Sequence, residues 1–283
     1  MMRSDLVSVN IPTFNSERTI GRTLESVMVQ SHKHIELLVI DNGSVDKTKE
    51  ICRSYGARVL SNSKSLLQSR CIGVKESRGD FVLFLDSDQV LTKECLQRSL
   101  ALCSSSAYDY LFLEEYAYDT TSFLQKLYNA DRIVVQSQES NGCQNSLRGV
   151  GLPRFFRTSI LNQAIISIPR LVRESVVYRD HAVIYFEVEK ISKKGGWLTD
   201  AIHHNENTSL RSLLKKHYRY AIDDSILFKS EEYRDLAKGK RNGRILYSKK
   251  VGLKYNLESQ LLTIVKMLPY SAGWLLSTIN SHF

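Results

Sequence analysis

Residues Gly79 to Leu91 read GDFVLFLDSDQVL. Phe81 to Leu85 are consecutive apolar side chains, the pattern of a strand covered on both faces, and they end abruptly in Asp86, Ser87 and Asp88. Two acids one residue apart at the open end of a core strand raise each other's pKa unless a cation stands beside them. On an extended turn both side chains of Asp-x-Asp project to the same side, where a divalent ion carrying phosphate oxygens is a natural guest. The alternative is a turn in which Asp88 merely caps a helix beginning near Thr92.

Toward the N-terminus the same kind of run recurs. Leu6 to Ile11, Ile35 to Ile40 and Arg58 to Leu60 read as strands, with Phe81 to Leu85 as the fourth, and helical periodicity lies between them. That alternation predicts βαβ units and an α/β fold on a mostly parallel sheet flanked by helices. The first helix is expected from Asn15 or Ser16, with Ile20, Leu24 and Val27 on one face. The second is expected from Ser44 as its cap, with Asp46 in the first turn at the positive end of the dipole, and the third carries Leu67, Cys71 and Val74. Polar turns with Asn15 and Glu17, with Asp41, and with Asp86 and Asp88 thus follow three strands at one sheet edge, where open α/β sheets bind ligands.

Beyond Leu91 an aromatic, acidic run, YDYLFLEEYAYD, precedes a helical stretch over Phe123 to Val135 and the polar loop QSQESNGCQNS. A helix is expected from His181 to Lys194, closed by Gly195 and Gly196, and a basic amphipathic helix from Leu210 to Lys229. The last stretch, LESQLLTIVKMLPYSAGWLLSTINSHF, is apolar but interrupted by Glu258, Lys266 and Pro269, so it does not read as a membrane span. It either packs on its own domain or lies in the headgroup plane through Leu261, Leu262, Val265 and Leu268, with Trp274 at the interface.

The chain has 283 residues, 42% hydrophobic and 24% charged, and a net charge of +9. Residues 201–283 hold 14 Lys or Arg against 7 Asp or Glu, a surplus of +7 that leaves +2 for the rest. The basicity is therefore C-terminal, where it faces either solvent or a polyanion such as phosphate or anionic lipid. Cys52, Cys71, Cys95, Cys103 and Cys143 form no C-x-x-C pair, which fits a reduced, cytoplasmic setting. The N-terminus MMRSDLVSVNIPTFN lacks the apolar core and cleavage site of a signal peptide. No G-x-G-x-x-G follows the first strand, which argues against a dinucleotide oxidoreductase.

In order and spacing, VSVNIPTFNSERTIGRTLESV, IELLVIDNGSVDKTKEI and QSRCIGVKESRGDFVLFLDSD resemble the family 2 glycosyltransferases of GT-A fold, strongly over residues 5 to 91. The resemblance implies a metal-dependent, inverting transferase using a nucleotide-diphosphate sugar and Mn²⁺ or Mg²⁺. It implies donor contacts from Pro12, Thr13, Phe14, Asn15 and Glu17 in the first turn, from Asp41 and Asn42 in the second, and from Arg70. Asn42 stands where the family often has a second aspartate, and a carboxamide both accepts and donates. Asp86, Ser87 and Asp88 match the family's D-x-D, with Asp86 and Asp88 on metal and donor, the metal neutralising the departing diphosphate.

The family's base comes from an "ED" pair, whose best match here is Asp180 in VYRDHAVIYFEV. Arg179 replaces the glutamate and would lower the pKa of Asp180. His181 is a candidate to share the proton transfer, and Glu187 or Glu189 substitute if the alignment slips by a turn. GVGLPRFFR resembles the acceptor-side segment, with Arg154 and Arg157 available to phosphate or a sugar acid. In GGWLTDAIHHNENTSLRSLLKKHYRYA, His203 and His204 match the histidine that reaches metal or diphosphate, with His204 preferred.

These features imply a GT-A domain over residues 1–208, with a nucleotide-sugar half over 1–91 and an acceptor half over 92–208, followed by a basic helical region over 209–283. The acceptor is expected to be a glycan or polyprenol-linked sugar, and the protein to be cytoplasmic, peripheral on an anionic membrane surface, with no nucleic-acid partner. Two alternatives remain open. LFLDSDQV also fits a haloacid-dehalogenase-like phosphatase with Asp86 as nucleophile and Asp88 as acid, and the basic C-terminal third fits a non-catalytic domain that binds membrane or nucleic acid.

Overall fold

The computed structural model describes residues 5–62, 64–139, 145–147, 151–206, 209–242 and 247–279; Cys143 with the middle of its polar loop, and residues 280–283, lie outside the described residues. The strands are β1 (Val7–Thr13), β2 (Ile35–Asp41), β3 (Arg58–Ser61), β4 (Phe81–Phe84), β5 (Gln89–Leu91), β6 (Tyr110–Ala117), β7 (Phe155–Arg157) and β8 (Gly195–His204). The helices are α1 (Ile20–Met28), α2 (Thr48–Ser54), α3 (Leu66–Glu76), α4 (Cys95–Ser106), α5 (Phe123–Glu139), α6 (Thr158–Ser167), α7 (Arg170–Ser175), α8 (Asp180–Ile191), α9 (Leu210–Lys229), α10 (Arg234–Asn242) and α11 (Leu253–Ile279).

The strands form one sheet in the order β3-β2-β1-β4-β7-β6-β8-β5. The first four are mutually parallel, as expected, with Val9 opposite Leu37 on one side and Leu83 on the other. β7 then inserts antiparallel between β4 and β6, β8 runs parallel to β6, and β5 returns antiparallel to β8. The period-2 alternation of strand side chains explains the continuous apolar run of β4. Phe81, Leu83 and Leu85 join a core with Ile20 and Leu24 of α1 and Leu96 of α4, whereas Val82 and Phe84 face Leu67 of α3, Leu161 of α6 and Ile184 of α8. Helices cover both faces, so both must be apolar.

Several expected boundaries shift for physical reasons. β1 runs on to Thr13, paired with Asp41, and α1 begins only at Ile20. Between them Asn15 sits at φ 48°, a left-handed position that Asn tolerates and that turns the chain. Ser44 does not cap α2: it is buried, its Oγ accepts from Asn15 N at 2.9 Å, and α2 starts at Thr48, whose amide donates to Asp46 Oδ1 at 3.0 Å. Asp88 caps no helix, since β5 follows and α4 starts at Cys95. α8 ends at Ile191 as Ser192 turns extended, and Gly195 and Gly196 open β8 instead, where any Cβ would strike the rings of Tyr110 and Tyr108.

α9 spans the expected residues, and α11 continues through Pro269. Leu262 and Val265 of α11 pack with Leu127 and Leu213, while Leu261 and Leu268 point outward, so the face expected to be shared by all four is divided between core and solvent. Among the described residues no helix is long and apolar enough to cross a membrane.

The approach of β4 to β1 is fixed at Gly79. A Cβ there would stand 2.6 Å from the backbone N of Ser8 and 2.7 Å from the carbonyl O of Leu6, neither of which can give way. Gly79→Ala is expected to cost about 2–3 kcal/mol of stability, read as a lowered midpoint in thermal unfolding; an unchanged midpoint would show that this contact does not set the strand.

Candidate active site

The C-terminal ends of the parallel strands open into a cavity of about 810 Å³. Pro12 and Thr13 line it from the end of β1, Phe14 and Ser16 from the turn that follows, Asn42 from the turn after β2, and Asp86, Ser87 and Asp88 from the turn after β4. Asp180 and His181 enter from α8, His204 from the end of β8, and Lys216, His217, Arg219 and Tyr220 from α9.

The first two turns are built as one unit. Asn15 Oδ1 accepts from Val45 N at 3.0 Å and Glu17 Oε2 accepts from Lys47 N at 3.1 Å. Asp41, 1% exposed, accepts from Thr13 Oγ1 at 3.2 Å, Gly43 N at 3.1 Å and Ser44 N at 3.0 Å. Asn15, Glu17 and Asp41 therefore shape the turns rather than line the cavity, contrary to the direct contact expected of them. Asn42 does line it: its Oδ1 accepts from Asn62 Nδ2 at 3.0 Å and Ser69 Oγ at 2.8 Å, which leaves Nδ2 as the group without a partner among the described residues.

The two acids after β4 have different fates. Asp86 is held by two arginines, Oδ1 by Arg70 Nη2 and Oδ2 by Arg154 Nη1 at 3.1 Å. Burial alone would raise its pKa, but the guanidiniums of Arg154 and Arg70 outweigh that and hold it well below the usual carboxylate range. Both oxygens of Asp86, expected on metal or donor, thus lie in guanidinium contacts. Asp88 is more open, at 40% side-chain exposure, and its Oδ1 stands 3.2 Å from His204 Nε2. Burial pulls the imidazole down, but the Asp88 and Glu206 carboxylates raise it to about 10. Ser87 Oγ shares a hydrogen bond of 2.9 Å with Ser16 Oγ.

Arg70, 1% exposed on α3, also donates from Nε to Asp180 Oδ2 at 3.1 Å and from Nη2 to His181 Nε2 at 2.9 Å. Only Oδ2 of Asp180 is engaged; Oδ1 has no hydrogen-bond partner among the described residues. His181 is kept neutral by burial and by Arg70, and its Nε2 also accepts from Arg154 Nη1 at 3.4 Å, while the buried Nδ1 has no partner among the described residues. That ring is an acceptor for arginines rather than a group free to take a proton from a substrate. Arg179 does not stand against Asp180 as expected: its Nε and Nη2 donate to Asp224 at 2.7 and 2.6 Å.

A second tier, unmarked by any motif, surrounds these groups. Glu115 of β6 accepts from Arg154 and from Arg132 of α5, and Arg132 also donates to Glu206 Oε1 at 2.6 Å and contacts His204 Nδ1. Lys216, Arg219 and Lys266, which donates to Asp131 at 2.9 Å, add cations to the lining of the cavity. Other expected residues fall elsewhere. Arg157 lies at the far end of β7 over the ring of Phe81 and 3.4 Å from Asp109, and His203 packs edge-on to Tyr118. Glu187 binds Lys190 and Glu189 accepts from Ser146, so neither reaches the cavity.

A family model described as glycosyl transferase family 2 matches residues 8–163. The poly(ribitol-phosphate) beta-N-acetylglucosaminyltransferase TarS of Staphylococcus aureus is 28% identical over 229 residues, 76% of this chain and 35% of that protein. The chain spans about a third of the length of such curated relatives. The structure of S. aureus TarS 1-349 with UDP-GlcNAc superimposes over 94% of this chain and 81% of that one with TM-score 0.57 at 19% identity. The mannosyltransferase PcManGT of Pyrobaculum calidifontis with GDP-Man and Mn2+ does so over 96% and 74% with TM-score 0.60 at 13% identity. The fold is the GT-A-like α/β fold expected from the sequence.

Removing the buried guanidinium should be severe. Arg70→Ala leaves Asp180 without its guanidinium and Asp86 with Arg154 alone, and is expected to cost about 3–5 kcal/mol in denaturant unfolding, with Arg70→Lys recovering part of it. The pH dependence carries a second signature. Burial pushes Glu115 up, but Arg154 and Arg132 bring it down from 4.5 to about 2. Its stabilising contribution is therefore complete above pH 4.5 and lost as the pH falls toward 2. Glu115→Gln should lower stability at neutral pH and flatten the acid limb of a stability–pH curve.

Proposed function

The chain belongs to glycosyl transferase family 2, and from that premise we propose that it moves a sugar from a nucleoside-diphosphate donor to an acceptor hydroxyl with inversion at the anomeric carbon. The observation that carries this reading is the placement of the open Asp88–His204 pair and the free Oδ1 of Asp180 around one cavity. The turns bearing Pro12, Thr13, Phe14 and Asn42 lie on that cavity too and receive the nucleoside, with Asn42 Nδ2 offered to a base carbonyl. TarS bound to UDP-GlcNAc and PcManGT bound to GDP-Man support a nucleotide-sugar donor.

The donor set fits a divalent ion. Asp88 Oδ1 and His204 Nε2, 3.2 Å apart, would hold such an ion, and its binding would displace the proton that the carboxylates of Asp88 and Glu206 keep on the imidazole. Mn²⁺ or Mg²⁺ is the proposed ion, a reading supported by PcManGT, whose structure holds GDP-Man with Mn2+. When bound, such an ion supplies Lewis-acid neutralisation of the departing diphosphate. Lys216, whose pKa is raised by the neighbouring Tyr220 hydroxyl and the carboxylates of Glu206 and Asp88, adds a fixed cation on the same side.

Asp180 takes the proton of the acceptor hydroxyl at Oδ1 while Arg70 holds Oδ2 and so fixes the orientation of the carboxylate. The phosphatase alternative needs Asp86 as a free nucleophile, and both of its oxygens lie in guanidinium contacts. In this reading residues 1–208 form the transferase body, with donor half 1–91 and acceptor half 92–208, and residues 209–283 add cations to the lining of the cavity. A glycan or polyprenol-linked sugar is the proposed acceptor class.

The test is a thermal melt with UDP or GDP, with and without Mn²⁺. Ligand at about 100 times Kd adds about 2.7 kcal/mol, and the Mn²⁺-dependent part of the shift should vanish in Asp88→Asn; no shift with either nucleotide at millimolar concentration would refute the reading. Asp180→Asn should keep that shift yet slow transfer by about 10²–10⁴-fold; undiminished turnover would remove Asp180 from the base role.

A further inference from the structure

α11 presents two different faces. One turns Lys266 toward the cavity and packs Leu262 against α5 and α9. The other carries Leu257, Leu261, Ile264, Met267, Leu268 and Leu275, each between 42% and 74% exposed. At 3.6 residues per turn these six fall within an arc of about 120°, and they run about 27 Å along the helix. The only charged residues from Leu257 to Ser277 are Glu258 and Lys266; the first is half-buried and the second is 7% exposed. The outward face is therefore an apolar stripe without an exposed charge, larger than scattered surface leucines explain.

At the N-terminal end of this stripe stand Lys249, Lys250 and Lys254, all exposed, in the region that holds a surplus of +7. We propose that this face docks the protein on an anionic bilayer, with α11 lying in the headgroup plane and the three lysines on lipid phosphates. Apolar side chains of one helical face entering the acyl boundary, with basic side chains beside them, is the chemistry of interfacial helices. A second copy of the chain is the weaker occupant, because it brings the same lysines and a net charge of +9 against their likes. The docking goes beyond the transfer reaction and stands without it.

The test uses the 283-residue chain and sedimentation with vesicles of phosphatidylcholine alone or mixed with phosphatidylglycerol. The expected result is partitioning about tenfold or more stronger onto the mixed vesicles, weakened by salt. Leu261→Glu/Ile264→Glu/Leu268→Glu should abolish it, and Lys249→Glu/Lys250→Glu/Lys254→Glu should remove the preference for anionic lipid. All these side chains are exposed, so circular dichroism melts should match the wild type; where the triple variant is destabilised, Ile264→Glu and Leu268→Glu alone carry the comparison. Wild type left in the supernatant, apolar variants that sediment like wild type, or light scattering that shows a dimer dissolved by the same variants without vesicle binding would each overturn the proposal. Vesicle binding reads no nucleotide or turnover, so its failure and that of the transferase reading are separate results.

Discussion

The guanidinium of Arg70 is the contact on which the site depends. It is 1% exposed and comes from α3, yet it touches Asp86 after β4 and Asp180 and His181 at the start of α8. A buried cation costs several kcal/mol in desolvation, so it is tolerable there only with both carboxylates in place. The ionised state of Asp86 depends in turn on this guanidinium together with that of Arg154. Three elements distant in sequence are thereby locked at the edge of one sheet, with the aromatic face of Phe84 beneath the guanidinium.

From that contact an alternating series of charges crosses the cavity. Asp180 meets Arg70, Arg70 meets Asp86, Asp86 meets Arg154, and Arg154 meets Glu115. Glu115 meets Arg132, Arg132 meets Glu206, and Glu206 lies beside His204, which reaches Asp88. Each sign is set between opposite ones, so no member is costly while all are present. The series joins the proposed base at one end to the proposed metal ligands at the other. Such fixed charges need little rearrangement when charge develops on a leaving group.

The parallel half of the fold was legible because it is local: apolar runs, polar turns and their order are properties of short segments, and all four expected strands are present. The acid turns were legible for the same reason. Their division of labour was legible only in part. The resemblance put the last acid on the metal and the first on ribose or metal, but the partners that distinguish them, Arg154 returned on β7 and His204 at the end of β8, come from distant segments. Glu115 and Arg132 carried no motif, since charges in an aromatic strand or an amphipathic helix read as surface until their partners are known. The same holds for Arg179, which its neighbour in sequence suggested would act on Asp180 and which Asp224, on α9, takes instead.

The basic C-terminal region also resolves into two populations that a net charge cannot separate. Lys216, Arg219 and Lys266 face the cavity, where field lines concentrate between low-dielectric walls and a diphosphate gains most from each cation. Lys249, Lys250 and Lys254 face outward, where solvent screens each one and only a dense array of anions rewards their grouping. A single helix, α11, separates the two: its buried Lys266 is fixed by Asp131, and its far face is apolar. An exposed apolar stripe opposes solubility and is removed by a few polar substitutions that touch nothing in the core. In the docking proposed above, the helix that lines the cavity through Lys266 would also set where the protein sits.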